Sequence, residues 1–175
     1  VITGAGSGFG KGIAIRFAAE GAKVVIADIN LESAEKVAEE IGEHALAVEG
    51  DVSQDGDVLS MFERTLKHFG RVDILVNNAG TTHRNKPMTE VTEEEFDQIF
   101  AVNVKSVFLT AKHGVPLMKK QGHGVILNVA STAGLRPRPG LAWYNTSKGA
   151  MITATKAMAI ELARSEERRV GKECR

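Results

Sequence analysis

Tyr144 and Lys148 stand four residues apart, the spacing at which two side chains share one face of a helix. A tyrosine titrates near pH 10 in water, and a nearby ammonium favours its phenolate, so the pair forms an acid–base group usable near neutral pH. Ser131 lies upstream, at the predicted carboxyl edge of a strand, where open α/β sheets bind ligands. A Y-x-x-x-K spacing alone is common by chance and is more often surface decoration. It gains weight from features far away in the chain.

The first of these is Thr3-Gly4-Ala5-Gly6-Ser7-Gly8-Phe9-Gly10. It sits between a predicted strand and a predicted helix, where backbone N–H groups and the helix dipole hold a pyrophosphate. Gly4 suits the tight turn, Gly8 the close approach of backbone to phosphate, and Gly10 the packing of helix on strand. The spacing is G-x-x-x-G-x-G. It is neither the strict G-x-G-x-x-G nor a P-loop, since Gly10-Lys11 has no hydroxyl residue after it. The second feature is Asp28, which ends the second predicted strand about 20 residues on, where a carboxylate accepts hydrogen bonds from an adenosine ribose. No Arg or Lys adjoins it, so a 2′-phosphate would meet unpaired negative charge. NAD is expected in preference to NADP. The competing reading makes Asp28 a helix N-terminal charge ahead of Leu31.

The elements that must position these groups alternate along the chain. Strands are predicted at 1–3, 23–28, 45–49, 72–77 and 124–130, and helices at 9–20, 31–41, 55–69, 93–121 and 143–164. Pro116 is expected to bend or break the fourth helix. Alternation of this kind, with right-handed crossovers, predicts an α/β fold: a Rossmann-type doubly wound parallel sheet in the order 3-2-1-4-5. A single NAD(P)-binding domain covers 1–164. The mostly charged stretch 165–175 reads as a non-native or disordered tail.

Composition narrows the function. With 175 residues, 43% of them hydrophobic and 25% charged, the chain fits one globular domain. Its 22 basic and 22 acidic side chains cancel, so no overall field draws it to nucleic acid or an anionic membrane. The one cysteine, Cys174, cannot form an internal disulfide, and no histidine pair has helical metal-site spacing, so no metal is expected and a cytoplasmic location is. No apolar run is long enough to cross a bilayer.

Taken together the motifs resemble those of the short-chain dehydrogenase/reductase family, in its classical branch. The glycine loop is similar to the family's T-G-x-x-x-G-x-G, Asn77-Asn78-Ala79-Gly80 to its N-N-A-G, and Tyr144 to Lys148 to its Y-x-x-x-K. Asn103 falls where the family carries a helix asparagine. The resemblance implies a hydride moving between nicotinamide and a secondary alcohol or ketone, as in a sugar dehydrogenase or a 3-oxoacyl reductase. Tyr144 would exchange the proton with the substrate oxygen and Ser131 would hold that oxygen. Lys148 would bind the nicotinamide ribose and favour the phenolate, and Asn103 would anchor a water leading to solvent. Gly4, Ser7, Gly8, Phe9, Gly10, Asp28, Asp51, Val52, Asn78, Ala79 and Gly80 would contact the cofactor, with Tyr144 and Lys148. Competing readings make Asn103 a helix-bend residue and Asp51 a plain strand-end turn.

The resemblance runs from Val1 to about Ala163. It leads us to expect a chain cut at both ends, without a later strand, a loop over nicotinamide, a substrate lid and a last strand, hence of doubtful activity and marginal stability by itself. It also implies a homodimer or homotetramer, formed through small apolar faces such as Ala150, Ala154 and Ala157. His83, Arg84, Arg136 and Arg138 could face an anionic substrate or be solvated loop charges, and Trp143 could wall the pocket or pack on a helix. A cofactor-binding module without catalysis and a sugar-nucleotide epimerase or dehydratase are the rival classes. A serine hydrolase is excluded because neither Ser7 nor Ser131 stands in a G-x-S-x-G elbow.

Overall fold

The computed structural model describes the backbone of residues 1–173 and the side chains of residues 1–163; Cys174 lies outside the described residues. Five strands, β1 (Ile2–Thr3), β2 (Val24–Asp28), β3 (Ala45–Glu49), β4 (Ile74–Asn77) and β5 (Val125–Asn128), alternate with α1 (Gly8–Ala19), α2 (Leu31–Ile41), α3 (Asp55–Phe69), α4 (Glu93–Phe100), α5 (Ser106–Gln121) and α6 (Ala142–Glu173). All strand pairs are parallel, in the order β3-β2-β1-β4-β5. This is the predicted Rossmann-type order.

Both faces of the sheet are covered, which explains why β2 is an unbroken apolar run rather than an alternating one. Val24 and Ile26 point to one face, where they pack with Ala14 of α1 and Ala34 and Val37 of α2. Val25 and Ala27 point to the other, against Val58 and Phe62 of α3 and Leu109 and Met118 of α5. β4 divides in the same way, with Val76 in the first cluster and Leu75 in the second. The period of two along each strand thus builds two cores from one sheet. Because the strands run parallel, the C-terminal ends of β1, β2, β4 and β5 share a common edge.

The predicted helix at 93–121 is modified in one respect. Pro116 does not break it: α5 runs through this residue. The proline removes one backbone bond, while Leu109 and Met118 on either side of it stay buried in the core. The irregularity lies earlier, in a π-helical turn at Ala101–Lys105 between α4 and α5. α6 continues past the predicted end at 164. Among the described residues β5 pairs with β4 alone, and Val125 and Leu127 on it are 58% and 47% exposed.

Candidate active site

The glycine loop is shaped by contacts that leave no room for side chains. Gly4 has φ +61°, and a Cβ on it would lie 2.9 Å from Ala79 Cα. A Cβ on Gly10 would meet Gly4 O, Asn78 Nδ2 at 2.5 Å and Ala5 Cα at 2.9 Å. Gly8, at φ +55°, has nothing within 4 Å of its Cβ position. Ser7 precedes α1 in an extended conformation, and its side chain makes no capping bond. The first N–H groups of a helix have no partner within it, and here they emerge beside exposed Ser7, Gly8 and Phe9, the last 86% exposed. A helix start of this kind, with open space and an uncapped first turn, suits a phosphate group.

Asp28 closes the loop on its other side. Its carboxylate accepts the N–H of Gly6 at 2.8 Å and that of Asn30 at 3.0 Å. The start of α2 is capped by Asn30, whose Oδ1 accepts the N–H of Ser33; the dipole of that helix does not need Asp28. Next to it, Gly50 N–H donates to Asp28 O, which sets the segment after β3 on the same edge. There Asp51 Oδ1 accepts Ser53 N–H at 2.8 Å, and Val52 is buried.

Asn78, Ala79 and Gly80 follow β4 and are latched to the loop. The N–H groups of Asn78 and Ala79 both donate to Thr3 Oγ1 at 3.1 Å, and Asn78 Nδ2 donates to Thr3 O and Gly4 O. Beneath them Asn77 Nδ2 donates to Asn128 Oδ1 at 2.8 Å, while Asn77 Oδ1 accepts from Thr110. Thr3 and Asn77 belong to the two motifs, while Thr110 and Asn128 carry no chemical signal in the sequence. Only the pairing of Asn77 with Asn128 in the β4–β5 register would have suggested the bond between those two side chains.

Asn103 and Lys148 converge on Gly80. Asn103, in the π-helical turn, has no exposed surface; its Oδ1 accepts Thr81 N–H, and its Nδ2 donates to Thr81 O and Ser147 Oγ. Lys148, 5% exposed, donates from Nζ to Val129 O at 3.0 Å. A Cβ on Gly80 would lie 3.3 Å from both Asn103 Oδ1 and Lys148 Nζ. Burial pushes the Lys148 ammonium below the ordinary lysine pKa. Tyr144, half-buried, is one turn earlier on α6.

Ser131 stands beyond the end of β5 rather than closing it, and its Oγ accepts the N–H of Ala133 in the short turn Thr132–Gly134. That turn presses on α6: a Cβ on Gly134 would lie 2.7 Å from Lys148 C. Glycine loop, Asp28, Asn78–Gly80, Asn103, Ser131, Tyr144 and Lys148 therefore occupy one end of the sheet and the helices rising from it. A group of this composition can bind a dinucleotide at one side and exchange a proton at the other.

The model of the short chain dehydrogenase family matches residues 1–170. The chain belongs to that family. It is 49% identical over 168 residues to 4-formylbenzenesulfonate dehydrogenase of Comamonas testosteroni, covering 94% of this chain and 67% of the relative. Among solved structures it is similar to a 3-ketoacyl-(acyl-carrier-protein) reductase of Brucella melitensis complexed with NADH, with 54% identity and a TM-score of 0.91, over 93% of this chain and 69% of the other. A short chain dehydrogenase/reductase of Burkholderia phymatum in complex with NAD gives 33% identity and a TM-score of 0.91, over 94% and 59%. The chain thus spans roughly two thirds of the length of such relatives.

Outside this constellation, Trp143 packs on α4, edge-to-face with Phe96 at 5.4 Å, and its indole N–H donates to Met88 O. His83 is buried with Nδ1 at 2.7 Å from Arg84 O, whereas Arg84, Arg136 and Arg138 are exposed.

Proposed function

We propose that the protein to which this chain belongs is an NAD(H)-dependent dehydrogenase or reductase acting on a secondary alcohol or ketone. The observation that carries the reading is the buried Lys148 ammonium, held at Val129 O beside Gly80 and on the helix that presents Tyr144. A buried lysine without a carboxylate partner is costly to the fold. Its place next to the Asn78–Gly80 loop and one turn from a phenol gives it a chemical purpose.

The cradle fits a nicotinamide dinucleotide. Gly4, Ser7, Gly8, Phe9 and Gly10 would hold the pyrophosphate on α1, Asp28 the adenosine ribose, Asp51 and Val52 the adenine, and Asn78 to Gly80 the middle of the molecule. Bound there, nicotinamide supplies a hydride donor or acceptor. Tyr144 would deliver or accept the proton at the substrate oxygen, Ser131 Oγ would hydrogen-bond that oxygen, and the positive charge of Lys148 would favour the phenolate. Asn103, fully bonded itself, would keep the Thr81 backbone and α6 in register and border any water path from Lys148. Asp28 faces the ribose with a carboxylate already accepting two N–H groups and with no cation supplied by Ser7 or Ile29, which supports NAD over NADP.

Aldehyde, ketone and acyl-thioester chemistry are all represented among the relatives' names, so the substrate class is kept at alcohol or ketone. The small residues Ala150, Ala154 and Ala157 on α6, together with Phe108 on α5, which is 63% exposed, support a homodimer or homotetramer. No described helix is long and apolar enough to cross a membrane; with a single cysteine, the reading is cytoplasmic. NAD titration by calorimetry followed by cofactor-linked oxidation of a panel of secondary alcohols tests the proposal. Binding without turnover on any substrate by the whole protein would favour a cofactor-binding module instead.

A further inference from the structure

We propose that Ser147 is a positioning residue of this site, acting through Asn103 to fix the rotation of the helix that carries Tyr144 and Lys148; the inference rests on the catalytic reading of those two residues. Ser147 has no exposed surface. Its hydroxyl donates to Tyr144 O at 2.8 Å and accepts from Asn103 Nδ2 at 2.9 Å. The first bond is commonplace, since serine and threonine inside helices bond back to the preceding turn, as Thr155 does to Met151 O and Thr65 to Met61 O. The second crosses from α6 to the π-helical turn.

That crossing uses up Asn103. A carboxamide has two N–H donors, and those of Asn103 go to Thr81 O and Ser147 Oγ, while Oδ1 takes the N–H of Thr81. One side chain therefore ties the exit of the Asn78–Gly80 loop to α6, at the position directly before Lys148 and three after Tyr144. A π-helical turn supplies the geometry: widening the helix at Ala101–Lys105 brings Asn103 into the space between Thr81 and Ser147. Without the Ser147 hydroxyl, a buried N–H of Asn103 has no acceptor, and α6 loses its side-chain tie to the π-helical turn, keeping the bonds of Trp143 to Met88 O, Lys148 to Val129 O and Thr155 to Asn128. A displacement of about 1 Å in a reacting group costs on the order of 100-fold in rate.

Tyr144 is the single tyrosine of this chain, so tyrosine-labelled chain gives one ring resonance set that reports its surroundings without any turnover. Ser147→Ala, Asn103→Ala and the double variant are compared by that resonance in the chain, and by kcat and the KM for NAD in the whole protein. Should Asn103→Ala fail to fold, Asn103→Asp, which has the same size and no side-chain donor, replaces it. We expect Ser147→Ala to move the Tyr144 resonances and to lower kcat about tenfold or more while KM changes less than about twofold. The double variant should be no worse than the poorer single one. Unmoved Tyr144 resonances in folded Ser147→Ala, or additive effects in the double variant, would overturn the proposal and leave Ser147 an ordinary back-bonding serine. Absence of Tyr144-dependent turnover in the wild type would instead defeat the catalytic reading, and the resonances would still decide the role of Ser147.

Discussion

Asp28 Oδ2 accepts the backbone N–H of Gly6 at 2.8 Å, so the carboxylate that ends β2 also holds the glycine loop against the sheet. On the proposed reading, cofactor specificity and loop shape would meet in this one side chain. Asp28→Ala should therefore weaken NAD binding and also lower stability, by about 1–3 kcal/mol for the lost charge-assisted bonds. The ratio of kcat/KM for NADP to that for NAD should rise about tenfold or more, equivalent to about 1.4 kcal/mol. Steady-state kinetics with both cofactors and a denaturant melt check the two effects separately; a wild-type preference for NADP would remove the basis of the argument.

Two glycines of the same loop should respond differently to alanine. A methyl at Gly10 meets Gly4 O, Ala5 and Asn78 in a rigid junction of α1 with two strand ends, so Gly10→Ala should cost about 1–3 kcal/mol of stability through overpacking. At Gly8 the space is open but φ is +55°. Gly8→Ala should cost about 1–2 kcal/mol from the left-handed conformation, with a larger relative loss of NAD affinity because the methyl faces the phosphate position. Urea unfolding and calorimetric titration of both variants separate the two mechanisms, and equal losses of affinity would contradict the assignment of Gly8 to the ligand side.

Lys148 gives the fold a pH dependence of definite sign. Its native pKa is lowered by burial, below the ordinary value of about 10.4. Between those two values the unfolded chain binds more protons than the native one, so this residue makes stability rise with pH there and imposes its full penalty below. Lys148→Met removes the penalty together with the bond to Val129 O, and only the penalty varies with pH. The stability of the variant relative to wild type should therefore fall as pH is raised from neutrality toward about 10.4. Melting temperatures of both proteins across that range measure it; a pH-independent difference would mean that the ammonium is not desolvated.

The fold and the site were legible to different depths. The strand order could be read because apolar strand segments alternate with helical periods along the chain, and the four successive apolar residues of β2, Val24 to Ala27, are what a sheet covered on both faces calls for. Tyr144, Lys148 and Asp28 were visible because their types and spacings are uncommon in combination. The π-helical turn was not, since Ala101 to Lys105 has no residue that forbids an α-helix; tertiary bonds to Thr81 and Ser147 reward the widening. Pro116 does not break α5 for the opposite reason, a local penalty being outweighed by burial of its neighbours. The latch of Thr3 on Asn78 and Ala79 joins residues some 75 apart in sequence and leaves no trace in local pattern.

Tyr144→Phe keeps the ring and removes the proton. The variant should bind NAD as the wild type does and lose about 100- to 10,000-fold in kcat, the usual worth of a general acid–base group. Calorimetry and turnover on the same preparations check both halves, and near-normal kcat would assign the proton to another residue.

The most direct test is label transfer by the whole protein. NADH deuterated on the transferring face of its nicotinamide ring is mixed with a panel of ketones, and the alcohol products are analysed by mass and NMR. The account predicts deuterium on the carbinol carbon of at least one product with the wild type, and transfer about 100- to 10,000-fold slower with Tyr144→Phe. NADH bound at saturation with no deuterium reaching any product, or label transferred equally well by Tyr144→Phe, would contradict it.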